Sequence, residues 1–216
     1  MKKLDYEYIL FDLDGTLTDS VEGIVNAVKY TCEKLGIRIP SQDELMEFIG
    51  PPMVNSFDTH FGLKGEKLKK AIELYHVYYR KQGWSENKVY PQVIEMLECL
   101  KTKGKHLAMC TNKTYFYAQW IAELFGFDKY LDFVGGSDPD VGRTEKNMVI
   151  EYTLGQLGAD KDKAVMVGDR HYDVEGAFKA GLKTIGVTYG YGTREELEKS
   201  GAFVTVDSPM EINGLF

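Results

Sequence analysis

Several residues able to bind a cation or a phosphate follow short apolar runs in this 216-residue sequence. They are Asp12, Asp14, Thr111, Asn112, Asp169 and Asp173. Lys146 joins them because it opens the helix predicted after the run at 133–136. Asp12 and Asp14 follow the run 8–11, Thr111 and Asn112 follow 106–110, and the last two aspartates follow 164–167. In a parallel sheet, the carboxyl ends of the strands meet at one edge, so we expect these side chains to converge there.

Four converging carboxylates need a counter-charge, because close carboxylates raise one another's pKa values unless a cation compensates them. Oxygen ligands with room for water suit Mg²⁺. One carboxylate can attack phosphorus to form an aspartyl phosphate, while a second protonates the leaving oxygen and later activates water. A turn at Gly15 would let Asp12 and Asp14 divide these tasks. Lys146, the Thr111 hydroxyl and the backbone N–H of Asn112 can hold the phosphoryl oxygens.

The elements that must position these groups alternate between strand and helix from about residue 91 onwards. Apolar runs at 106–110, 133–134, 164–167, 184–187 and 202–206 are separated by segments with helical periodicity. This alternation predicts a doubly wound, mainly parallel α/β sheet with a Rossmann-like core and right-handed crossovers.

Residues 17–86 carry helical patterns instead. Helices are predicted from Ser20 to Leu35 and over 41–48, 52–61 and 64–82. We therefore assign 1–16 and 87–216 to a core domain and 17–86 to an inserted, all-helical cap domain. The aromatic stripe of the cap at 74–79, with Phe57, Phe61 and Trp84, is interpreted as cap core, with a nucleobase platform as the alternative.

Composition excludes several classes of protein. Twenty-six Lys and Arg against 33 Asp and Glu give a net charge of −7 without a basic run, which argues against nucleic acid or an anionic membrane as partner. No apolar run approaches the length of a membrane span, and no targeting segment is visible. Three cysteines in no metal-binding spacing favour a reducing compartment, so a cytoplasmic protein is expected, as a monomer or homodimer.

The motifs resemble the four signature motifs of the haloacid dehalogenase superfamily, in order and spacing. They are Phe11-Asp12-Leu13-Asp14-Gly15-Thr16-Leu17, Thr111-Asn112-Lys113, Lys146 and Gly168-Asp169-Arg170-x-x-Asp173. The resemblance covers essentially the whole chain, including a helical cap. It implies Mg²⁺ as cofactor, Asp12 as nucleophile and metal ligand, and Asp14 as acid/base whose backbone carbonyl also binds the metal. It further implies Asp169 as metal ligand and Asp173 as a supporting one.

The dehalogenases of this superfamily lack a carboxylate at the position of Asp14, so the resemblance favours phosphate esters as substrates. The chain is similar to the phosphoglycolate phosphatase group. The segments 142–146, 168–177, 190–192 and 195–197 resemble its 5′-nucleotidase-like branch. The expected partner is a small phosphorylated metabolite, either 2-phosphoglycolate or a nucleoside 5′-monophosphate. A phosphomutase of the β-phosphoglucomutase type and a non-catalytic binding module are the alternatives.

Individual residues have simpler interpretations. Thr111 and Asn112 could cap the helix that begins near residue 113, and Asp173 could stabilise the N-terminus of its own helix. Arg143 and Arg170 could be surface ion-pair partners. His171 is considered as a proton shuttle because it follows the fourth motif directly, although its side chain could point away from it. The cap segment 48–53 is a candidate for substrate recognition.

Overall fold

The computed structural model describes residues 3–216 and divides the chain into two compact units. One consists of Met1–Thr18 and Val89–Phe216, the other of Asp19–Lys88. The sequence placed these boundaries at 16/17 and 86/87. Two short strands, β2 (Thr18–Asp19) and β3 (Lys88–Val89), form a separate two-stranded sheet where the chain passes from one unit to the other.

The first unit is built on a six-stranded sheet, which confirms the predicted fold class. Its strands lie in the order β5-β4-β1-β6-β7-β8, and every neighbouring pair is parallel. Their bounds are β1 Tyr8–Phe11, β4 His106–Thr114, β5 Phe133–Ser137, β6 Ala164–Gly168, β7 Lys183–Val187 and β8 Val204–Val206. Strands β4 and β5 lie on one side of β1, and strands β6, β7 and β8 lie on the other side. The strand order therefore reverses at β1, and such a switch point is where open α/β sheets bind ligands.

Helices connect these strands. They are α5 Val93–Thr102, α6 Tyr115–Phe125, α7 Lys146–Leu157, α8 His171–Ala180, α9 Arg194–Ser200 and α10 Pro209–Leu215. Leu10, Ala108 and Met166 lie on one face of the sheet and form a buried core with Val149 and Ala177, from α7 and α8. This packing fixes the start of α7, where Lys146 lies, relative to β1.

The second unit is helical, with α1 Val21–Leu35, α2 Gln42–Met46, α3 Met53–Phe61 and α4 Gly65–Tyr78, followed by a π-helical turn over Tyr79–Gly83. Phe48 and Phe57 are fully buried, with ring centroids 5.5 Å apart. Tyr75 and Tyr79 stack at 5.4 Å and are also buried. Three residues of the aromatic stripe, Phe57, Tyr75 and Tyr79, therefore lie in the core of this unit, whereas Val77 is exposed. The others, Phe61, Leu74, Tyr78 and Trp84, are partly buried.

Three details differ from the sequence expectation or lie outside it. β4 continues through Thr114, four residues beyond its predicted end, with an irregular register between Thr111 and Thr114. Helix α10 and the β2–β3 pair were not predicted.

Within residues 3–216, the helices are too short or too polar to cross a bilayer. All three cysteines are free thiols.

Candidate active site

Asp12 is the first residue after β1, at the switch point of the sheet. Its backbone N–H donates to the Val167 carbonyl at 2.9 Å, so the β1–β6 ladder extends one residue beyond the strand. The register pairs Phe11 with Met109 on one side and Val167 on the other. Asp12 is thus held between the ends of β4 and β6, and it is only 7% exposed.

The chain turns sharply after Asp12. The N–H groups of Thr16, Leu17 and Thr18 all lie within hydrogen-bonding distance of the Leu13 carbonyl, and Gly15 at the turn has a φ of 85°. A side chain at this position would be strained by that φ, and its Cβ would lie 2.1 Å from Asp169 Oδ2. Glycine therefore allows both the turn and the close approach of Asp169.

Lys146 joins two of the carboxylates. Its Nζ lies 2.6 Å from Asp12 Oδ1 and 2.6 Å from Asp173 Oδ1. All three side chains are at most 10% exposed. Burial of an ammonium group is costly unless anionic partners compensate its charge. The two carboxylates therefore stabilise the buried Lys146, and Lys146 in turn holds Asp12 and Asp173 beside each other.

Asp12, Asp169 and Asp173 form a buried cluster in which one ligand oxygen from each lies within 4.8 Å of the others. Oδ2 of Asp169 accepts a hydrogen bond from the Tyr191 N–H at 2.7 Å. Oδ2 of Asp173 accepts one from the Arg170 N–H at 3.1 Å, at the start of α8. Asp173 therefore stabilises the N-terminus of its own helix and also forms an ion pair with Lys146.

Burial raises the pKa of Asp12 to about 6, because desolvation and the neighbouring Asp173 and Asp14 outweigh the effect of Lys146. Burial and the charges of Asp173 and Asp12 raise the pKa of Asp169 well above its usual value. For Lys146, burial favours the neutral form, but Asp12 and Asp173 raise its pKa nonetheless. The raised pKa values of Asp12 and Asp169 show that Lys146 alone does not compensate the negative charge of the buried aspartates.

Thr111 and Asn112 lie inside β4 rather than after it. Thr111 is buried, and its Oγ1 accepts a hydrogen bond from the Lys113 N–H at 3.2 Å. Helix α6 begins only at Tyr115, so the helix-cap interpretation of Thr111 and Asn112 is wrong. Oδ1 of Asn112 is buried and has no hydrogen-bond partner among residues 3–216.

Lys113 is a residue to which sequence reasoning gave no role. Its Nζ lies 2.8 Å from Asp14 Oδ2, and the two side chains are 6% and 10% exposed. The other oxygen of Asp14, Oδ1, is buried without a hydrogen-bond partner in the described part of the chain. The irregular end of β4 explains why the contact was missed, since a bulge re-aims a side chain in a way that strand alternation does not predict.

Four glycines crowd the cluster. The sequence predicted a turn at Gly15, but it did not predict the close approach of any of the four to the site. A Cβ added at any of four glycines would lie 2.1–2.5 Å from a neighbouring atom, and each would touch one of Asp169, Asp173 and Lys146. These are Gly15, Gly168, Gly176 and Gly190. Their spacing in sequence shows no pattern, so only the fold shows that they surround one site.

Arg170 and His171 have a different partner. Arg170 Nε and His171 Nδ1 lie 2.9 Å and 2.7 Å from Glu196 Oε1, which also accepts the His171 backbone N–H. The pKa of Glu196 falls to about 2, because these hydrogen bonds outweigh its partial burial. Arg170 is thus an ion-pair partner. His171 also binds Glu196, which gives no support to a proton shuttle at the carboxylate cluster.

Arg143 lies beside the edge strand β5. Its Nε donates to the Gly136 carbonyl at 3.0 Å, and its guanidinium lies 3.8 Å from the Tyr152 ring centroid. Its Nη2 also lies 3.5 Å from Asp138 Oδ2, so Arg143 is an ion-pair partner with a structural role beside β5.

The profile of the family described as "Haloacid dehalogenase-like hydrolase" matches residues 9–187, which include every residue of this cluster. The chain belongs to this family. A 5′-nucleotidase of Pseudomonas aeruginosa is 39% identical over 90% of this chain and 88% of its own length. A tyrosine-protein kinase, PtkA, of Mycobacterium tuberculosis is 34% identical over 97% of this chain and 73% of its own.

Further relatives agree with the predicted group. A phosphoglycolate phosphatase of Agrobacterium fabrum is 32% identical over 84% of this chain and 80% of its own length. A predicted phosphatase from Clostridium acetobutylicum, whose crystal structure is known, is 42% identical in sequence to this chain. The two structures superpose over 97% of both chains with a TM-score of 0.92. These relatives confirm the resemblance inferred from the motifs. The chain is related to named phosphoglycolate phosphatases and to a named 5′-nucleotidase within this family.

Proposed function

We propose that this hydrolase is a Mg²⁺-dependent phosphomonoesterase that forms an aspartyl phosphate on Asp12. The observation that carries the proposal is the 2.6 Å contact of Lys146 Nζ with Asp12 Oδ1, beside the buried carboxylates of Asp169 and Asp173. A carboxylate fixed by a lysine at a strand end, next to a cation site, suits nucleophilic attack on phosphorus.

The carboxylate cluster fits a divalent metal. Four aspartates, Asp12, Asp14, Asp169 and Asp173, face two lysines, Lys113 and Lys146, which leaves a formal charge of −4 + 2 = −2. Hard oxygen donors of this kind suit Mg²⁺. We assign Asp12, Asp169 and the Asp14 backbone carbonyl as ligands, with Asp173 in support. When bound, Mg²⁺ neutralises a phosphoryl oxygen and lowers the repulsion between the substrate and the nucleophile.

In the first half-reaction, an oxygen of Asp12 attacks phosphorus and the P–O bond to the leaving group breaks. Asp14 gives its proton to the leaving oxygen, so that an alcohol departs and Asp14 becomes a carboxylate. Lys146, the Thr111 hydroxyl and the Asn112 N–H hold the phosphoryl oxygens during this step. Asp14 Oδ1 supports this assignment, because it has no hydrogen-bond partner among the described residues and is left to bond the leaving oxygen.

In the second half-reaction, Asp14 takes a proton from water as the water oxygen attacks the phosphorus of the aspartyl phosphate. The bond from phosphorus to Asp12 breaks, which releases inorganic phosphate and restores both carboxyl groups. Asp14 thus acts in both directions, and it is protonated again at the end of the cycle.

The substrate proposed is a small phosphorylated metabolite, with 2-phosphoglycolate and nucleoside 5′-monophosphates as the two candidates. One relative is named a 5′-nucleotidase and another a phosphoglycolate phosphatase, which supports both candidates. The role of the cap segment 48–53 in substrate recognition, the cytoplasmic location and the monomeric or homodimeric state remain predictions.

The proposal is tested by phosphate release in Mg²⁺ and in EDTA, with 2-phosphoglycolate, nucleoside monophosphates, sugar phosphates and pyrophosphate. We expect Mg²⁺-dependent release that Asp12→Asn abolishes while Asp5→Asn, at an exposed aspartate, leaves it unchanged. Full activity in Asp12→Asn would overturn the nucleophile, and no release from any ester would overturn the phosphatase. Because one relative is named a kinase, labelled ATP is included, and label on protein tyrosine would contradict hydrolysis as the main activity.

A further inference from the structure

Helix α8 begins between two residues of the carboxylate cluster, Asp169 and Asp173. Its N-cap residue is Arg170. A side chain at this position usually accepts hydrogen bonds from the first backbone N–H groups of the helix, but the guanidinium of arginine has only donors. An acceptor for these N–H groups therefore has to come from another residue.

Glu196 of α9 provides an acceptor from a distant part of the sequence. Its Oε1 accepts a hydrogen bond from the His171 backbone N–H at 2.9 Å and another from Arg170 Nε at 2.9 Å. The same oxygen lies 2.7 Å from His171 Nδ1. The carboxylate thus contacts both residues that follow Asp169, and its charge stabilises the positive end of the α8 dipole.

The position of Glu196 is set by the packing of α9 beside the sheet. The next residue, Leu197, is fully buried, and a Cβ added at Gly186 of β7 would lie 3.0 Å from Leu197 Cδ1. The loop before α9 approaches Asp169 itself, since a Cβ added at Gly192 would lie 1.9 Å from the Asp169 carbonyl oxygen. Glu196 is therefore held at a defined place relative to Asp169.

The turn over residues 170–172 joins the carboxylates of Asp169 and Asp173. The Arg170 N–H donates to Asp173 Oδ2 at 3.1 Å, and the His171 N–H donates to Glu196. Loss of Glu196 would remove one of the hydrogen bonds that hold this turn, so the two aspartates could shift relative to each other. Mg²⁺ tolerates such shifts poorly, because it demands near-ideal octahedral geometry.

We propose that Glu196 is a positioning residue that sets the Mg²⁺ affinity of the site by fixing the start of α8 between Asp169 and Asp173. This inference rests on the metal site of the proposed function. The contacts of Glu196 are with Arg170 and His171, so it acts through this turn and not on the reacting atoms. Its removal should therefore weaken metal binding before it affects the chemical step.

The test measures the Kd of the substrate-free protein for Mg²⁺ by isothermal titration calorimetry. We expect Glu196→Ala to raise this Kd by about tenfold or more, since loss of a group that supports a metal ligand costs about 10–100-fold in affinity. Glu196→Gln keeps an oxygen that can accept the His171 N–H, so it should retain part of the affinity. Saturating Mg²⁺ should restore most of the phosphate release of Glu196→Ala.

Asp132→Ala is the matched control, because Asp132 makes the same kinds of contact at the opposite end of β4 from the site. Its Oδ2 accepts the Leu107 backbone N–H at 3.0 Å and lies 3.3 Å from His106 Nδ1, and its Oδ1 accepts from Lys101 Nζ at 2.7 Å. This variant should lose stability in urea, as Glu196→Ala does, but should bind Mg²⁺ as the native protein does.

Two results would overturn the proposal while leaving the metal site intact. One is a native Mg²⁺ affinity in Glu196→Ala, since the aspartates would then keep their positions without this carboxylate. The other is an equal loss of affinity in Asp132→Ala, because general destabilisation would then explain both. A native protein that binds no Mg²⁺ would instead refute the metal site of the proposed function, and this inference with it.

Discussion

The backbone N–H of Tyr191 donates a 2.7 Å hydrogen bond to Oδ2 of Asp169. The same loop, residues 188–193, is fixed at a second point by the Tyr189 hydroxyl, which donates to the Thr16 carbonyl at 3.0 Å. Asp169 is thus held between the turn after β1 and the loop after β7. The 188–193 loop therefore belongs to the carboxylate cluster as a support for Asp169, although it contributes no acidic side chain.

Gly190→Ala should break this support. An added Cβ would lie 2.2 Å from the Gly15 carbonyl oxygen and 2.5 Å from Asp169 Cβ, so the 188–193 loop must move. Overpacking of this kind costs about 1–3 kcal/mol of stability, and a shift of a positioning group can cost about 100-fold in rate. We expect lower kcat and weaker stabilisation of the fold by Mg²⁺, measured by phosphate release and by thermal unfolding.

Gly155→Ala provides the matched control. Gly155 lies within α7, and a Cβ there would meet no atom within 4 Å. This change should leave activity unchanged and stabilise the protein by about 0.5–1 kcal/mol, because alanine favours a helix more than glycine does. Equal activity in the two variants would show that the 188–193 loop does not position Asp169.

These supports mark the limit of prediction from sequence. The strand ends carrying Asp12 and Asp169 could be predicted, because a short apolar run followed by polar residues indicates a buried strand that ends at the site. The starts of α1 and α7 followed in the same way from helical periodicity. Local patterns therefore gave the sheet, most helices and the acidic side chains.

The remaining site features depend on contacts between distant parts of the chain. Gly190 is needed because Gly15 and Asp169 approach it, and neither neighbour is visible from its own surroundings in sequence. Lys113 reaches Asp14 through a local irregularity of β4 that strand alternation does not predict. Such features require the packed structure.

The charge of Asp12 should make the metal-free protein sensitive to pH. Burial raises its pKa from 3.8 to about 6, so the folded carboxyl holds its proton to higher pH than the unfolded one. This group's cost to folding is absent below about pH 3.8 and grows as the pH rises through 6. In EDTA, the stability of Asp12→Asn relative to the native protein should therefore rise by roughly 2 kcal/mol between pH 4.5 and pH 7.5.

Excess Mg²⁺ should reverse this effect, because the cation compensates the ionised Asp12 in the native protein. Urea unfolding at several pH values, with and without Mg²⁺, measures both parts of the prediction. Asp5→Asn should show no comparable trend, since that residue is exposed. A pH-independent difference between native protein and Asp12→Asn in EDTA would contradict the raised pKa.

Lys146→Met should destabilise the protein strongly. The change leaves Asp12 and Asp173 buried and close together without their shared cation, and loss of one partner of a buried pair costs about 3–5 kcal/mol. Chemical denaturation at pH 7 measures the loss, and activity should fall as well. Lys179→Met, at a lysine that is 61% exposed, should change stability by less than about 0.5 kcal/mol. A similar result for both lysines would show that the ion pairs of Lys146 do not hold the cluster.

Glu196→Gln should destabilise the fold in a way that disappears in acid. Glu196 Oε1 accepts hydrogen bonds from Arg170 Nε and from the His171 backbone N–H, which fix the start of α8. The loss should be about 1–2 kcal/mol at pH 7, since the side chain is 25% exposed and its contacts are partly screened.

The pKa of Glu196 falls from 4.5 to about 2 on folding, so its contribution is complete above pH 4.5 and is lost as the pH falls towards 2. Thermal unfolding at pH 7, 5, 4 and 3 measures the stability of both proteins, and the difference between them should shrink as the pH falls. Glu195→Gln, at an exposed position paired with Lys199, is the control and should be as stable as the native protein at each pH. A constant difference across this range would show that Glu196 stabilises α8 through its shape and not through its charge.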